Sequence, residues 1–164
     1  MGRENSVLFV CRGNTCRSPL AAAILFKLVA DSGQADEWLI DSVGVAVATE
    51  GESPAREASK IAESYNLTQF HASHRARSLT LSDFDRFEYI FGMDESNIKA
   101  IQSMKPDTAS NQIDLLGKYN PNLETNIITD PYGGNTARYQ QTYNECVIAV
   151  KQFLSTRHAT QVLN

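Results

Sequence analysis

Short apolar runs alternate along this chain with longer segments in which apolar residues recur every three or four positions. Residues 7–10 form an uninterrupted apolar run, as expected for a parallel strand covered on both faces. Helical periodicity follows from about Ser18, with Pro19 in the first turn and Gly33 placed to end the helix. The pattern predicts a strand that leads directly into a helix.

The same alternation continues to the end of the chain. It predicts further strands at residues 38–43, 88–93 and 112–116. It predicts helices at residues 53–65 and 80–87, a helix capped by Asp94 that stops before Pro106, and a long helix from about Thr136. Strands that alternate with helices indicate a three-layer α/β fold, in which a parallel sheet carries helices on both faces.

Length and composition narrow the class of protein. A chain of 164 residues with 42% hydrophobic and 21% charged residues fits one globular domain over residues 1–164. A net charge of −4 argues against a nucleic-acid partner. No apolar stretch approaches the ~20 residues of a membrane span, and residues 7–10 are too few for a signal peptide core. Three cysteines cannot all pair, which favours a reducing, cytoplasmic location.

The N-terminal residues carry little structural signal. We expect about residues 1–5 to be disordered. Met1-Gly2 followed by Ser6 matches a loose myristoylation pattern, for which chance is the favoured interpretation because one acyl chain without a basic cluster anchors weakly.

The loop between the first strand and the first helix carries the candidate chemistry. Cys11 lies at the carboxyl end of the strand, the edge at which ligands collect in open α/β sheets. The first amides of the helix point into the loop, and the planar fork of Arg17 suits two phosphate oxygens. Gly13 permits unusual dihedral angles and close backbone approach, and Asn14 tolerates a left-handed conformation. We therefore predict a thiolate nucleophile in an anion site, steadied by the Ser18 hydroxyl.

A plainer interpretation is a buried strand-end cysteine followed by a surface arginine. The apolar strand before Cys11 and the proline-started helix after it make that interpretation less favoured. The loop is not an ATP-type phosphate loop, because the Gly-Lys-Ser/Thr ending is missing.

The sequence CRGNTCRSP at residues 11–19, with DPY at residues 130–132, resembles the low-molecular-weight protein tyrosine phosphatases. Segments DS at 41–42, SH at 73–74 with Arg77, and MDESN at 93–97 extend the similarity over nearly the whole chain. The resemblance implies a single α/β domain with a four-stranded parallel sheet. It also implies hydrolysis of phosphate monoesters through a cysteinyl-phosphate, without a metal or cofactor.

The resemblance also implies roles for individual residues. Cys11 is the nucleophile, Arg17 the phosphate clamp and Asp130 the general acid and base. Asp130 owes its role to the resemblance, since the local sequence DPYGG is by itself more typical of a turn. The loop and supporting residues are Arg12, Gly13, Asn14, Thr15, Cys16, Ser18, Ser42 and His74. The expected substrates are phosphotyrosine proteins or small phosphate esters, with inorganic phosphate as a product.

The chain departs from the family pattern around the mouth of the site. Arg12 stands where many relatives have an apolar residue, Thr15 replaces an aliphatic residue, and Gly133 replaces a second aromatic. Segment 45–50 lacks a wall aromatic, which leaves Tyr132 as the main aromatic wall. We expect weak aryl stacking and a shift toward acidic phosphopeptides or small phosphoesters.

One further hypothesis and two alternatives remain open at this point. Cys16 could capture an oxidised Cys11 as a disulfide and make peroxide inactivation reversible. An arsenate-reductase-like enzyme would need two more thiols after the third strand, and no cysteine lies between Cys16 and Cys146. A non-catalytic phosphate-binding module would need neither Cys11 nor Asp130.

Overall fold

The computed structural model describes residues 3–162, with side chains described for residues 4–157. Met1 and Gly2, and with them the myristoylation pattern, lie outside this part of the chain. The predicted strands are confirmed as β1 (Arg3–Cys11), β2 (Leu39–Gly44), β3 (Phe87–Gly92) and β4 (Gln112–Leu115). They form one parallel sheet in the order β2-β1-β3-β4.

Helices fill the connections between the strands. They are α1 (Arg17–Asp31), α2 (Arg56–Ser64), α3 (Thr68–His71), α4 (Asp83–Arg86), α5 (Glu95–Met104) and α6 (Thr136–Val162). Two 3-10 turns, Ala35–Glu37 and Leu116–Tyr119, complete the elements of the described residues. The one-turn helix α3 was not predicted, because four residues are too few to show an apolar repeat.

The strands bury both of their faces, as continuous apolar runs require. Along β1, Val7 and Phe9 belong to the core shared with α1, α2 and α6, whereas Leu8 and Val10 belong to the core shared with α4 and α5. This two-residue alternation follows from the pleat of the strand. The three-layer, four-stranded parallel fold that we predicted is confirmed.

The start of β1 corrects one expectation. β1 begins at Arg3, so residues 3–5 extend the strand and are not part of a disordered terminus. Arg157 of α6 secures this segment by donating from Nη2 to the Glu4 carbonyl at 2.8 Å. Within residues 3–162, no helix combines the length and apolar character needed to cross a membrane.

The carboxyl edge of the sheet brings distant loops together. Cys11 pairs with Gly44 at the end of β1 and β2, so the loops after both strands leave the same edge. The segment before α6 reaches this edge too, because Ile128 N donates to the carbonyl of Met93 just after β3 (3.0 Å). Thr129 is then fixed to α6 through the buried Glu145 carboxylate. The sheet topology therefore places Asp130 near the first loop.

Candidate active site

Cys11 lies at the end of β1 with its thiol almost enclosed. The Asn14 backbone N–H donates to Cys11 Sγ at 3.2 Å, and Ser18 Oγ lies 3.0 Å from the same sulfur. Asn14 Nδ2 donates to Ser18 Oγ at 2.8 Å, and the serine hydroxyl also lies 3.4 Å from the Val43 carbonyl oxygen, to which it can donate. Hydrogen bonds thus connect Asn14, Ser18 and Cys11. These contacts fix the position of the sulfur at the base of the loop.

Asn14 holds the loop in shape. Its φ of 60° lies in the left-handed region, which asparagine enters more readily than most residues. Its side chain donates to Ser42 Oγ at 3.0 Å and accepts from Arg77 N at 2.9 Å. Its carbonyl accepts from His74 Nε2 at 2.7 Å. The structure therefore brings Asn14, Ser42 and His74 together.

Glycine has a different place in this loop from the one we predicted. Gly13 does not adopt a positive φ, and a Cβ there would meet nothing within 4 Å. The unusual dihedral angle falls on Asn14. The close backbone approach falls on Gly44, where a Cβ would lie 2.7 Å from the Arg12 carbonyl oxygen. The sequence analysis missed Gly44, because its constraint comes from a loop more than thirty residues away.

His74 and Arg77 support the loop between β1 and α1 through hydrogen bonds to Asn14. Burial lowers the pKa of His74, which favours the neutral ring. Because the Asn14 carbonyl can only accept, the proton of the neutral ring lies on Nε2. Its Nδ1 then faces Ser42 Oγ at 3.5 Å. Arg77 binds Asp41 Oδ2 at 2.9 Å and both oxygens of the buried Asp83. This ion network fixes the backbone N–H that holds Asn14.

Arg17 is the first residue of α1 and is only 3% exposed. Its Nη1 donates to Asp94 Oδ2 at 2.7 Å, and its Nη2 lies 3.6 Å from Asp130 Oδ2. Although burial opposes ionisation, hydrogen bonds from Ser96 and Arg17 keep the pKa of Asp94 below its usual value. Asp94 thus orients the guanidinium, a role that our sequence analysis missed.

Asp94 was predicted only as a helix cap, and it is one. Its Oδ1 accepts from Asn97 N at 3.0 Å, and Asn97 Oδ1 accepts from the Asp94 N–H in return. Its position directly after β3, at the ligand-binding edge of the sheet, was the available signal for a second role.

Asp130 lies on the loop before α6, with half of its side chain exposed. Its Oδ1 accepts from Tyr132 N at 3.1 Å, a turn typical of Asp-Pro-Tyr. Gly133 continues the turn with a φ of 75°. The Tyr132 ring is 78% exposed, so it stands at the mouth with little packing of its own.

A cavity of about 480 Å³ connects these groups. Its lining consists of the whole first loop, part of the loop after β2, and the acidic loop before α6: Cys11, Arg12, Gly13, Asn14, Thr15, Cys16, Arg17, Ala46, Ala48, Thr49, Glu52, Asp130 and Tyr132. The positive Arg17 and loop amides at its base, with a thiol between them, suit a phosphate group. Residues 46–49 supply methyl and hydroxyl groups and no aromatic ring.

Cys16 borders the cavity from the N-terminus of α1. Its thiol lies 3.5 Å from the hydroxyl of Tyr139 on α6. Burial raises the pKa of the Cys16 thiol, which keeps it protonated. Tyr139 was predicted only as a member of an apolar helix face, and the reach of its hydroxyl to Cys16 was not foreseen.

Comparisons with known proteins agree with this geometry. The family model described as low molecular weight phosphotyrosine protein phosphatase matches residues 6–162. A rat protein of that name is 39% identical over 157 residues, which cover 94% of this chain and 97% of the rat protein.

Two solved structures share the fold closely. The crystal structure of a Drosophila arginine phosphatase, DARP, superposes with a TM-score of 0.85 at 33% identity, covering 92% of this chain and 96% of that one. A protein tyrosine phosphatase from Entamoeba histolytica gives a TM-score of 0.86 at 25% identity, covering 95% and 98%.

Proposed function

This chain belongs to the low molecular weight phosphotyrosine protein phosphatase family, a family of hydrolases, and we propose that Cys11 is the nucleophile with which it cleaves phosphotyrosine. One observation carries the assignment. The Cys11 sulfur receives the Asn14 N–H at 3.2 Å at the base of a cavity that also contains Arg17 and Asp130. A nucleophile, a cation and a carboxyl group therefore face the same space.

In the proposed first step, Cys11 Sγ attacks phosphorus and the bond from phosphorus to the phenolic oxygen breaks. Arg17 and the loop amides hold the equatorial oxygens, whose charge needs stabilisation in the transition state. Asp130 donates its proton to the leaving phenolate. The exposed half of its side chain gives it access to a group at the mouth of the cavity.

In the second step, water attacks the cysteinyl-phosphate and the bond from sulfur to phosphorus breaks. Asp130, now ionised, takes a proton from that water, and inorganic phosphate leaves. Ser18 Oγ, 3.0 Å from the sulfur, stabilises the departing thiolate. No metal takes part in either step of this proposal.

Hydrolysis of para-nitrophenyl phosphate in the presence of EDTA tests these assignments. We expect turnover by the parent enzyme, loss of turnover in Cys11→Ser, and a fall of roughly 10²–10⁴-fold in Asp130→Asn. Asp31→Asn is the matched control, because among the described residues Asp31 pairs only with Lys27, on the surface of α1. Unchanged turnover in Cys11→Ser would refute the proposal.

Phosphoarginine is a second candidate substrate. The specific observation is the polar wall: Thr15 lines the cavity, and among the described residues Tyr132 is the one aromatic ring in the lining. A guanidinium leaving group needs acceptors more than flat apolar walls, and threonine and Asp130 oxygens supply them. The Drosophila neighbour is titled an arginine phosphatase.

Turnover of matched phosphoarginine and phosphotyrosine peptides separates the two candidates. We expect Thr15→Val to lower the ratio of phosphoarginine to phosphotyrosine turnover. Thr49→Val, in the loop after β2, is a comparison for loss of a hydroxyl elsewhere on the wall. Absence of phosphoarginine turnover in the parent enzyme would eliminate this candidate.

All three cysteines, Cys11, Cys16 and Cys146, are free thiols. Since disulfides are rare in reducing compartments, this supports our proposal of a cytoplasmic location.

A further inference from the structure

Two opposite charges at the mouth of the cavity have no partner in the described part of the chain. Arg12 and Glu52 both line the cavity and both are exposed. Neither makes an ion pair or side-chain hydrogen bond with another described residue. Glu50, two residues before Glu52, behaves differently, since its carboxylate accepts from both the N–H and the hydroxyl of Ser78. Glu50 therefore serves the loop structure, and Glu52 remains available for a ligand.

The backbone at Glu52 is held firmly. The N–H of Gly51 donates to the Ala76 carbonyl at 2.8 Å, and the N–H of Ala76 donates to the Glu52 carbonyl at 2.8 Å. Ala76 precedes Arg77, whose N–H holds the Asn14 side chain. The backbone of Glu52 is thus connected to the loop that follows β1 through the hydrogen bonds of Ala76 and Arg77, whereas its side chain is free to move.

Arg12 is fixed in a similar way. Its carbonyl accepts from the Ala46 N–H at 2.8 Å, which ties the loop after β2 to the first loop. Unpaired charges on a fixed backbone give a site specificity, because a complementary substrate need not displace an internal partner.

We propose that Glu52 is a specificity-determining residue that selects substrates carrying a cationic side chain beside the phosphorylated residue. This inference rests on the proposed function, in which the phosphate occupies the base of the cavity at Cys11 and Arg17. The leaving group then extends to the mouth, and the residues next to it meet Glu52 and Arg12. Arg12 would attract an acidic flanking residue of the substrate, and Glu52 would attract a basic one.

We expect Glu52 to change the substrate preference modestly, and we expect salt to weaken that change. Glu52 is exposed, so water and ions screen its attraction for a substrate cation. Replacing the carboxylate by an ammonium exchanges attraction for repulsion. We expect this to change the preference between a lysine-flanked and a glutamate-flanked substrate by roughly three- to tenfold at low salt.

The test uses phosphotyrosine peptides that differ only at one flanking position, which is Lys, Gln or Glu, on either side of the phosphotyrosine. The ratio of kcat/KM for the Lys peptide to that for the Glu peptide is measured for the parent, Glu52→Gln and Glu52→Lys. Glu63→Lys is the matched control, since it changes the net charge by the same amount as Glu52→Lys. Glu63 is an exposed residue of α2 outside the cavity lining.

We expect the ratio to fall in the order parent, Glu52→Gln, Glu52→Lys, to hold near the parent value in Glu63→Lys, and to converge among variants as salt rises. An equal change in Glu52→Lys and Glu63→Lys, or no change in either, would overturn the inference. Turnover of para-nitrophenyl phosphate by the parent enzyme distinguishes a failure of the Glu52 inference from a failure of the proposed function. If it is present, a flat ratio refutes only the role of Glu52; if it is absent, the proposed function itself fails.

Discussion

The contact between Arg17 and Asp94 gives the sharpest prediction about the site. Asp94→Asn removes the negative charge that faces Arg17 Nη1 at 2.7 Å. The substitution keeps an acceptor for the Asn97 N–H, so the cap of α5 survives. Arg17 is 3% exposed, which leaves its guanidinium nearly dry and with only the 3.6 Å contact to Asp130 as compensation.

The expected loss of stability follows from these exposures. Removing one partner of a fully buried ion pair costs about 3–5 kcal/mol. Asp94 is 25% exposed, so water offsets part of the loss and we expect about 1–3 kcal/mol. Asp94→Ala also removes the cap and should cost about 1 kcal/mol more.

The expected loss of activity comes from orientation. Arg17 remains in Asp94→Asn, but its fork is no longer held toward the phosphate site. A displacement on the order of 1 Å at a reacting centre can cost about 10²-fold in rate, so we expect kcat/KM to fall by about 10–100-fold. Because the charge of Arg17 is retained, the fall should be smaller than in Arg17→Ala.

Urea unfolding and steady-state turnover of para-nitrophenyl phosphate measure both effects. Asp31→Asn is the control, since its exposed pair with Lys27 should be worth less than about 1 kcal/mol. If Asp94→Asn lost no more stability and activity than Asp31→Asn, Asp94 would not be orienting Arg17.

Three further predictions concern the loop and its surroundings. Asn14→Ala should lose about 3–5 kcal/mol in urea unfolding, because it strains a φ of 60° and removes buried hydrogen bonds; Asn14→Gly should recover about 1 kcal/mol, and equal losses would argue against strain. Cys16→Ser should recover less activity than the parent when a thiol reductant follows peroxide, and equal recovery would count against the disulfide hypothesis. Burial lowers the pKa of His71 to about 4, so the unfolded chain takes up this proton near pH 6.5 and the folded chain only near pH 4. Stability should therefore decline by up to about 3 kcal/mol as pH falls through that window, more steeply than in His71→Gln, and parallel pH profiles would contradict the reasoning.

Local patterns were enough to predict the elements that carry the site. The apolar run of β1, the cap at Asp94 and the glycine that ends α1 all have short-range signals. Gly33 indeed has a φ of 73°, and Asp94 forms a capping box. These features depend on neighbours within about four residues, which the sequence displays directly.

Features that depend on distant partners were not visible in the same way. The cap accounts for the pattern around Asp94, and its position after β3 indicated a second role without identifying Arg17, 77 residues away, as the partner. Tyr139 fits an apolar stripe, and its hydroxyl meets Cys16 across 123 positions. The polar start of β1 was expected to be disordered, and its anchor, Arg157, lies at the other end of the chain. Our assignment of Asp130 rested on resemblance, since its local sequence indicates only a turn.

A covalent phosphate on Cys11 tests the central claim most directly. Rapid acid quenching during turnover of a phosphotyrosine peptide, followed by mass spectrometry of the fragments, locates any phosphate bound to the enzyme. We predict one phosphate on the fragment that contains Cys11, and greater accumulation in Asp130→Asn with an activated ester, because deprotonation of the attacking water is then impaired. Phosphate on another side chain, or full turnover with no phosphorylated fragment and no loss in Cys11→Ser, would contradict the account.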